Sequence, residues 1–392
     1  MPDAASQPVV GGLPSGWAQS TYDPEAFAAE QRRFAHVWTF LGLAADVARE
    51  GDWFRAAIGV RSVFVQRING QLRGFENRCA HRFFPLRVTD KGNGPIVCGF
   101  HHWRYDGDGR AQGIPACKDV FGVVSRELDI GLTPVELGVC GSLIFGRFPS
   151  PGATESLEDF LGSCFPVLAA LSRTALSPHH FSGPVEAHWK LCMHVAVDDY
   201  HLAAVHPTTF GKGGVYLDRD RLTYTRVGAH SIYQNIPGPD ALANLIAAMA
   251  NGSAIDNHYI VVHLMPGFVL SNAFIWDGYF ACALTHFAPI NHHRSLQRVW
   301  IYPSPLPRGT SRIPGGRLLD PFILRAAFHY GRHILGEDAR AAERLQTNAS
   351  TFIKSPLIGR LEERVQWYEE AYREIMAPES RMQDGTSRRD NQ

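Results

Sequence analysis

The chain has 392 residues, of which 45% are apolar and 19% are charged, so it has enough apolar side chains to bury a core in each of two domains. Its 38 basic residues balance its 38 acidic ones, which excludes an overall field that would favour nucleic acid or an anionic membrane surface. The first residues lack the pattern of a secretory signal, and no stretch is long and apolar enough to span a bilayer. We therefore expect a cytoplasmic protein that acts on small ligands.

The first predicted element is a helix near the amino terminus. Asp23 suits an N-cap and Pro24 suits the first turn, and Phe27 and Phe34 follow at helical spacing. We predict that residues 1–40 form an N-terminal segment and helix that pack on the larger domain.

A small all-β domain is predicted for residues 41–150. Its sequence consists of short β-branched and aromatic runs interrupted by glycine, and Asn69-Gly70 is typical of a two-residue hairpin turn. The Ser-Pro-Gly run at residues 150–152 marks the linker that ends this domain.

Two short loops in this domain carry the same kind of ligand pair, Cys79-x-His81 in one and Cys98-x2-His101 in the other. In a Rieske [2Fe–2S] centre two cysteines hold one iron and two histidines hold the other. Zinc also binds two cysteines and two histidines, but its sites usually group like ligands together, whereas here each loop has one of each. The pattern favours a cluster that transfers single electrons over zinc, and over buried cysteines with chance histidine neighbours.

A larger domain is predicted for residues 155–378. Residues 258–303 alternate or run apolar as strands of one sheet do, and the last helix repeats apolar residues at intervals of three and four. The polar tail, residues 379–392, is expected to be disordered. The prediction is an α+β protein, with a small all-β domain followed by an antiparallel sheet surrounded by helices.

A second set of metal ligands is predicted between residues 198 and 206. On a helix, Asp198 and His201 lie about 60° apart on one face, while His206 lies about 140° further round. Both imidazoles reach one ion only where the helix bulges or unwinds, and we predict a local π-type widening. Two histidines and a carboxylate bind Fe(II) and leave positions open for O₂ and substrate. Zinc accepts the same ligands, but a redox-inert ion makes no use of electrons from an iron–sulfur centre.

With both motifs present, the chain resembles, over nearly its whole length, the large (α) subunits of the Rieske non-haem iron oxygenases. These are the aromatic ring-hydroxylating dioxygenases and monooxygenases. In that family Cys-x-His and Cys-x2-His bind the [2Fe–2S] cluster, and both histidines of Asp-x-Tyr-His-x4-His bind a mononuclear iron. A further iron ligand is the aspartate of Glu-Asp-x4-Glu-x2-Gln, which residues 337–346 match. The resemblance implies that Asp338 is the third ligand. Spacing alone does not choose it over three other carboxylates, those of Asp277, Asp320 and Glu343.

The resemblance also implies a function. Electrons from a partner reductase, with or without a ferredoxin, would pass through the Rieske cluster to the mononuclear Fe(II), where O₂ would hydroxylate a small organic substrate, expected to be aromatic. The alternatives are O- or N-demethylation at the same iron, and a Rieske electron carrier without oxygenase activity. No Gly-x-Gly-x2-Gly fingerprint follows a predicted strand, so NAD(P)H would be used only through the reductase.

The assembly of the family gives Asp198 a role. The aspartate at this position hydrogen-bonds a Rieske histidine of one subunit and an iron-ligand histidine of the next. The resemblance thus implies a homotrimer, with or without a small β subunit, in which Asp198 bridges the two centres. The substrate pocket should be mostly apolar. Its predicted lining residues are Val205, Phe210, Val262, Met265 and Phe274.

Three positions depart from the family pattern. Met193-His194 stands where the family commonly has Glu-Asn, and Phe83 and His102 stand where it commonly has glycine. His194 is either an outer hydrogen-bond donor to the iron site or a core histidine, and the sequence favours neither.

Overall fold

The computed structural model describes residues 11–14, 16–152, 154–173, 178–209, 219–253, 259–276, 279–306, 320–351 and 356–377. The chain divides into two compact units. The smaller unit comprises residues 35–177 and 304–306, and the larger unit comprises residues 1–34, 178–303 and 307–392. In the described parts of the chain, no helix is both long and apolar enough to cross a membrane.

The amino-terminal part of the larger unit has one short strand and one helix, β1 (Gly11–Gly12) and α1 (Pro24–Phe34). The helix begins where the sequence predicts it, since Asp23 Oδ1 accepts a hydrogen bond from the backbone N–H of Glu25 at 2.9 Å. Phe27 and Phe34 are buried on one side of α1, as their spacing indicates.

The smaller unit is built on antiparallel strands. Its strands are β2 (Thr39–Leu43), β3 (Asp52–Ile58), β4 (Arg61–Ile68), β5 (Gln71–Glu76), β6 (Lys91–Asn93), β7 (Ile96–Val97), β8 (Arg104–Tyr105), β9 (Ala111–Gly113), β10 (Pro134–Cys140) and β11 (Leu143–Arg147). Within the described chain, seven of them form one sheet in the order β2-β11-β10-β5-β4-β3-β6, and three form another in the order β7-β8-β9. Its helices are α2 (Cys117–Phe121), α3 (Leu157–Leu161) and α4 (Cys164–Leu171).

The predicted hairpin turn joins β4 to β5. Ile68 pairs with Gln71, and both residues of the turn have positive φ, 52° at Asn69 and 75° at Gly70. Two positive φ angles define the turn type that fits the twist of paired strands, and Asn-Gly favours it.

Strand β4 is buried on both faces and separates two cores. Val63 and Val65 pack in one core, while Phe64 packs in the other, where the two cysteines of the ligand loops also lie. The ligand loops are therefore anchored in an apolar core rather than held only at the surface.

The larger unit continues with strands and helices in mixed order. Its further strands are β12 (His179–Val185), β13 (Thr223–Val227), β14 (His230–Gln234), β15 (Ile260–Leu264), β16 (Phe268–Trp276), β17 (Tyr279–Asn291), β18 (Arg294–Pro303) and β19 (Leu357–Ile358). Its further helices are α5 (Trp189–Val197), α6 (Leu202–Val205), α7 (Ala241–Ala250), α8 (Asp320–Thr347) and α9 (Glu363–Met376). Where the chain is described, seven strands pair antiparallel in the order β12-β18-β17-β16-β15-β14-β13. The predicted α+β class, with strands over 258–303 and helices around the sheet, is confirmed.

The predicted π-type widening after α5 is wrong, because the helix ends instead. The last helical residue is Val197, and Asp198 has extended backbone angles, with φ −93° and ψ 127°. The Asp198 carboxylate accepts a hydrogen bond from the backbone N–H of Tyr200 at 2.6 Å. Aspartate competes with the helix in this way, offering the backbone a local partner in place of the helical ladder. A new, short helix, α6, then starts after His201.

Candidate metal centres

His201, His206 and Asp338 converge in the larger unit. His201 precedes α6 and His206 follows it, while Asp338 lies on α8. Asp338 Oδ1 is 3.3 Å from His201 Nε2 and 2.9 Å from His206 Nε2, and one candidate ligand atom from each residue lies within 4.8 Å of the others. Neighbouring ligands of an octahedral ion with bonds of about 2.1 Å are about 3.0 Å apart. The spacing and the donor set fit one divalent transition metal.

Two of the converging atoms lack an aligned hydrogen bond. In the described part of the chain, His201 Nε2 and Asp338 Oδ1 are buried and have no hydrogen-bond partner of good geometry. Buried polar atoms are normally satisfied, and an exception indicates an ion or a water. A metal held between these atoms accounts for the exception.

In both imidazoles, the nitrogen that does not face Asp338 lies near another carboxylate. His206 Nδ1 donates to Glu337 Oε2 at 2.8 Å, which directs Nε2 at Asp338, and His333 Nε2 lies 3.3 Å from the other oxygen of Glu337. His201 Nδ1 lies 3.6 Å from Asp198 Oδ2. Such carboxylates fix the orientation of a ligating imidazole and raise its basicity. The role of Glu337 was not predicted from the sequence, although its position directly before Asp338 was an available signal.

The electrostatics of this cluster favour a cation. Burial lowers the pKa of His201, but Asp198 and Asp338 outweigh it and raise that pKa to about 10. Burial raises the pKa of Asp338, yet the two imidazoles bring it below its ordinary value. The cluster therefore stabilises positive charge, and a metal would take the place of the protons.

Asp198 lies at the edge of this site and lines a cavity of about 390 Å³. Its side chain is 20% exposed, so one part faces His201 and another remains accessible. The other lining residues of the cavity are Val195, His201, Ala341, Arg344, Leu345 and Asn348.

The residues predicted to line a substrate pocket are not among those of this cavity. Val205 is half-buried in α6, and Val262 and Met265 are buried in and after β15. Phe210 lies outside the described residues, and Phe274 is described only as part of the backbone of β16. The location of the substrate pocket stays a prediction.

The two ligand loops of the smaller unit fold alike. The N–H of Phe83 donates to Cys79 O, and the N–H of His102 donates to Cys98 O, each at 3.0 Å. Phe83 and His102 end these turns with positive φ, 61° and 58°. Glycine adopts such angles without strain, which explains why glycine is the expected residue at both positions.

The loops bring the four predicted cluster ligands to one end of the unit. Cys79 and Cys98 are buried at 1% exposure, while His81 is half-buried and His101 is exposed. The two imidazole rings lie 4.7 Å apart, and His81 Nδ1 is a buried atom without a hydrogen-bond partner in the described structure. Two buried thiols and two neighbouring imidazoles on these loops fit the ligand set of a Rieske cluster.

Tyr105 contacts the loop from β8. Its hydroxyl accepts a hydrogen bond from the N–H of Ala80 at 3.0 Å and lies 3.0 Å from Cys79 Sγ. Against a metal-bound thiolate this hydroxyl is the donor, and hydrogen bonds to cluster sulfurs tune the reduction potential. Tyr105 was not predicted from the sequence.

Two protein families match the chain, one in each part. Residues 37–126 match the Rieske [2Fe-2S] domain, and residues 171–378, more than half of the chain, match the ring hydroxylating alpha subunit (catalytic domain). The chain belongs to the ring-hydroxylating alpha subunits. This family carries a Rieske [2Fe–2S] cluster and a mononuclear iron, and both groups fit the residues described above.

Characterised relatives of this alpha subunit belong to more than one type. It is 29% identical over 230 residues to the glycine betaine monooxygenase oxygenase subunit of Chromohalobacter salexigens, covering 55% of this chain and 50% of that protein. It is 30% identical over 200 residues to the large oxygenase component of the naphthalene 1,2-dioxygenase system of a Ralstonia species, covering 49% and 44%. The chain thus spans about half the length of the curated relatives it matches.

Solved structures share the fold over almost the whole chain. A quaternary ammonium Rieske monooxygenase has a TM-score of 0.72 at 15% identity, covering 94% of this chain and 96% of the other. The naphthalene 1,2-dioxygenase of a Rhodococcus species also has a TM-score of 0.72, at 21% identity, covering 93% and 94%. At these identities the likeness establishes the fold.

His194, which departs from the pattern of the alpha subunits, belongs to a buried polar cluster. Its Nε2 pairs with Glu369 Oε1 at 2.5 Å, and its ring stacks on Trp17 at 4.8 Å. The same carboxylate oxygen lies 2.9 Å from Lys190 Nζ. The sequence left two roles open for His194, an outer hydrogen-bond donor to the iron site or a core histidine. These contacts favour the core histidine.

Proposed function

We propose that this chain is the terminal oxygenase component of a Rieske oxygenase system, which uses electrons from a partner reductase and O₂ to hydroxylate a small organic substrate, with aromatic compounds as the first substrate class. The observation that carries the proposal is the convergence of His201, His206 and Asp338 in a chain that also has the two Rieske ligand loops. An electron carrier needs only the loops, so the second ligand set argues against that alternative.

The proposed roles follow from the contacts of each residue. Cys79 and Cys98 hold one iron of the cluster, and His81 and His101 hold the other. His201, His206 and Asp338 hold the mononuclear Fe(II), which when bound supplies the open positions for O₂.

The carboxylates around the mononuclear site orient its ligands. Glu337 keeps a proton on His206 Nδ1 and so leaves Nε2 for the metal. Asp198 faces the remaining nitrogen of His201 and keeps an accessible edge. This edge supports a role as the bridge to the Rieske histidine of a neighbouring subunit, and so a homotrimer, with or without a β subunit.

The partners belong to the same proposal. NAD(P)H would act through a reductase, with or without a ferredoxin. A cytoplasmic location is proposed from the sequence, and the seven buried cysteines, none of them in a disulfide, are compatible with it.

Two substrate classes remain in the proposal. Aromatic hydroxylation is the first, supported by the naphthalene dioxygenase relative, and N- or O-demethylation is the second, supported by the glycine betaine relative of nearly equal identity. The two differ in product, because demethylation releases formaldehyde whereas ring hydroxylation retains all carbon atoms in the product.

The first test is iron and acid-labile sulfide analysis of the purified, anaerobic full chain, with EPR of the reduced protein. We expect about three irons and two sulfides per chain, with a Rieske-type signal, and one iron fewer in His201→Ala. Two irons in the parent protein would contradict the oxygenase and support a carrier. A single turnover of the reduced protein with O₂ and either naphthalene or glycine betaine, analysed for hydroxylated product and formaldehyde, then separates the substrate classes.

A further inference from the structure

The segment between α5 and α6 carries Asp198 and His201 and lies outside both helices, so the hydrogen-bond ladder of α5 does not extend to it. The last carbonyl groups of α5 also need partners, because a helix leaves four of them without internal donors. The position of this segment must therefore be set by groups from elsewhere in the larger unit.

Arg364, in the first turn of α9, is one of these groups. It is 1% exposed, and its Nη2 donates to Asp199 Oδ2 at 2.7 Å while its Nη1 donates to His263 Nδ1 at 2.8 Å. The guanidinium also lies over the ring of Tyr224, 4.8 Å from the ring centroid. A planar guanidinium can serve both acceptors at once, which a lysine ammonium on a flexible stem does not reproduce.

His263, on β15, extends this contact to the end of α5. Since its Nδ1 accepts from Arg364, its Nε2 carries the proton and donates to Ala196 O at 2.7 Å. Burial and the charge of Arg364 hold the pKa of His263 well below its usual range, so the ring stays neutral and keeps this donor. Arg364 thus reaches the end of α5 through His263 and the following segment through Asp199.

Two further contacts hold Asp199. Its backbone N–H donates to Leu361 O at 3.2 Å, and its carboxylate accepts a hydrogen bond from the Tyr224 hydroxyl. Groups from β13, β15, α9 and the residues before α9 therefore converge on residues 196–199, which end two positions before His201.

We infer that Arg364 is a positioning residue for the mononuclear metal site, because through Asp199 and His263 it sets where the ligand segment leaves α5. It thereby sets how Asp198 and His201 face Asp338, and so how tightly the site holds its metal. This inference rests on the proposed function, in which His201 and Asp338 are iron ligands.

The buried ion pair between Arg364 and Asp199 could either only stabilise the fold or position the metal ligands, and these two roles predict different results. Arg364→Met or Asp199→Asn alone leaves a buried charge without its partner and should lower the melting temperature in either case. The double variant, Arg364→Met with Asp199→Asn, removes both charges, and such neutral replacements often recover stability. A stabilising pair then predicts normal metal binding in the double variant, whereas a positioning residue predicts that metal binding stays weak.

The experiment measures transfer of the mononuclear iron to a ferrous chelator, under anaerobic conditions, in the full-length protein. The visible spectrum of the Rieske cluster serves as the internal reference. We expect the double variant to release iron about ten- to a hundredfold faster than the parent, with an unchanged Rieske spectrum. Arg364→Lys keeps the charge and should fold, and we expect it to release iron faster as well, because one ammonium does not serve both acceptors.

The matched control is Arg226→Met. It breaks a partly exposed ion pair between Arg226 on β13 and Glu370, which lies on α9 like Arg364, at 2.5 Å. Its iron release should equal that of the parent. Parental release rates in both Arg364→Lys and the double variant would overturn the inference. A parent chain that never holds the third iron would instead contradict the proposed function.

Discussion

The two metal-binding regions of this chain differ in how their ligands are brought together. In the smaller unit, two similar turns present a cysteine and a histidine each, and backbone hydrogen bonds within each loop set their shape. In the larger unit, His201 and His206 flank a single turn of helix, while Asp338 comes from a helix much later in the chain. The first site depends mainly on local turn geometry, and the second depends on packing.

This difference predicts separate sensitivities. Substitutions that disturb the packing around α5 and α8 should affect the mononuclear site and leave the Rieske loops intact. Substitutions in the loops should do the reverse.

Asp338→Ala should have the largest effect. It removes the carboxylate that faces both imidazoles, at 2.9 and 3.3 Å, and leaves two nitrogens without their shared partner. We expect the loss of one iron per chain and a fall in turnover of more than about a hundredfold. Iron analysis with EPR of the reduced protein measures both effects. A Rieske signal that changes together with the iron content would show that the two regions are not separate.

Low pH should destabilise the larger unit by protonating Glu30, which is fully buried on α1. Burial raises the pKa of Glu30, but His188, Tyr372 and Trp189 outweigh it and lower that pKa from 4.5 to about 2. Because the folded pKa is depressed, the ionised carboxylate stabilises the fold above pH 4.5, by about 3 kcal/mol, and this contribution disappears as the pH falls to about 2.

Glu30→Gln should therefore be less stable than the parent near pH 7, and the difference should shrink as the pH falls from 4.5 to about 2. Urea unfolding followed by tryptophan fluorescence at several pH values measures it. Glu25→Gln, an exposed change on the same helix, is the control and should show little difference at any pH. A Glu30→Gln difference that does not vary with pH would contradict the ionised, buried carboxylate.

Glu337→Gln should weaken the mononuclear site without removing a ligand. The amide keeps the shape of the side chain but loses the charge that holds the proton on His206 Nδ1. We expect metal affinity to fall about ten- to a hundredfold, measured by competition with a chelator. His333→Gln, at the exposed end of the same contact, should have a much smaller effect. If the two variants lower metal affinity equally, the Glu337 carboxylate does not set the orientation of His206.

Phe83→Gly should have the smallest effect, and in the opposite direction. Phe83 is 66% exposed and has a φ of 61°, a conformation that is strained for phenylalanine and free for glycine. Relief of this strain should stabilise the smaller unit by up to about 1 kcal/mol. Thermal loss of the Rieske visible spectrum measures the change. Val88→Gly, at an exposed residue without positive φ, should not stabilise, and equal gains in both variants would contradict the strain.

The sequence by itself determined much of the fold and most of the candidate ligands. The Asn69-Gly70 turn, the strands over residues 258–303 and the two ligand loops were predictable because each depends on neighbouring residues. Asp338 came from a resemblance, since no local pattern distinguishes it from other carboxylates.

The tertiary structure decided what depends on distant contacts. The predicted π-type widening was wrong because the Asp198 carboxylate accepts a hydrogen bond from the backbone N–H of Tyr200, and the helix ends there. Glu337, Tyr105 and Arg364 were missed because their partners lie far away in the sequence. Side-chain periodicity indicates which face of an element is buried, but only packing decides which buried polar groups contact one another. Here those contacts orient the metal ligands.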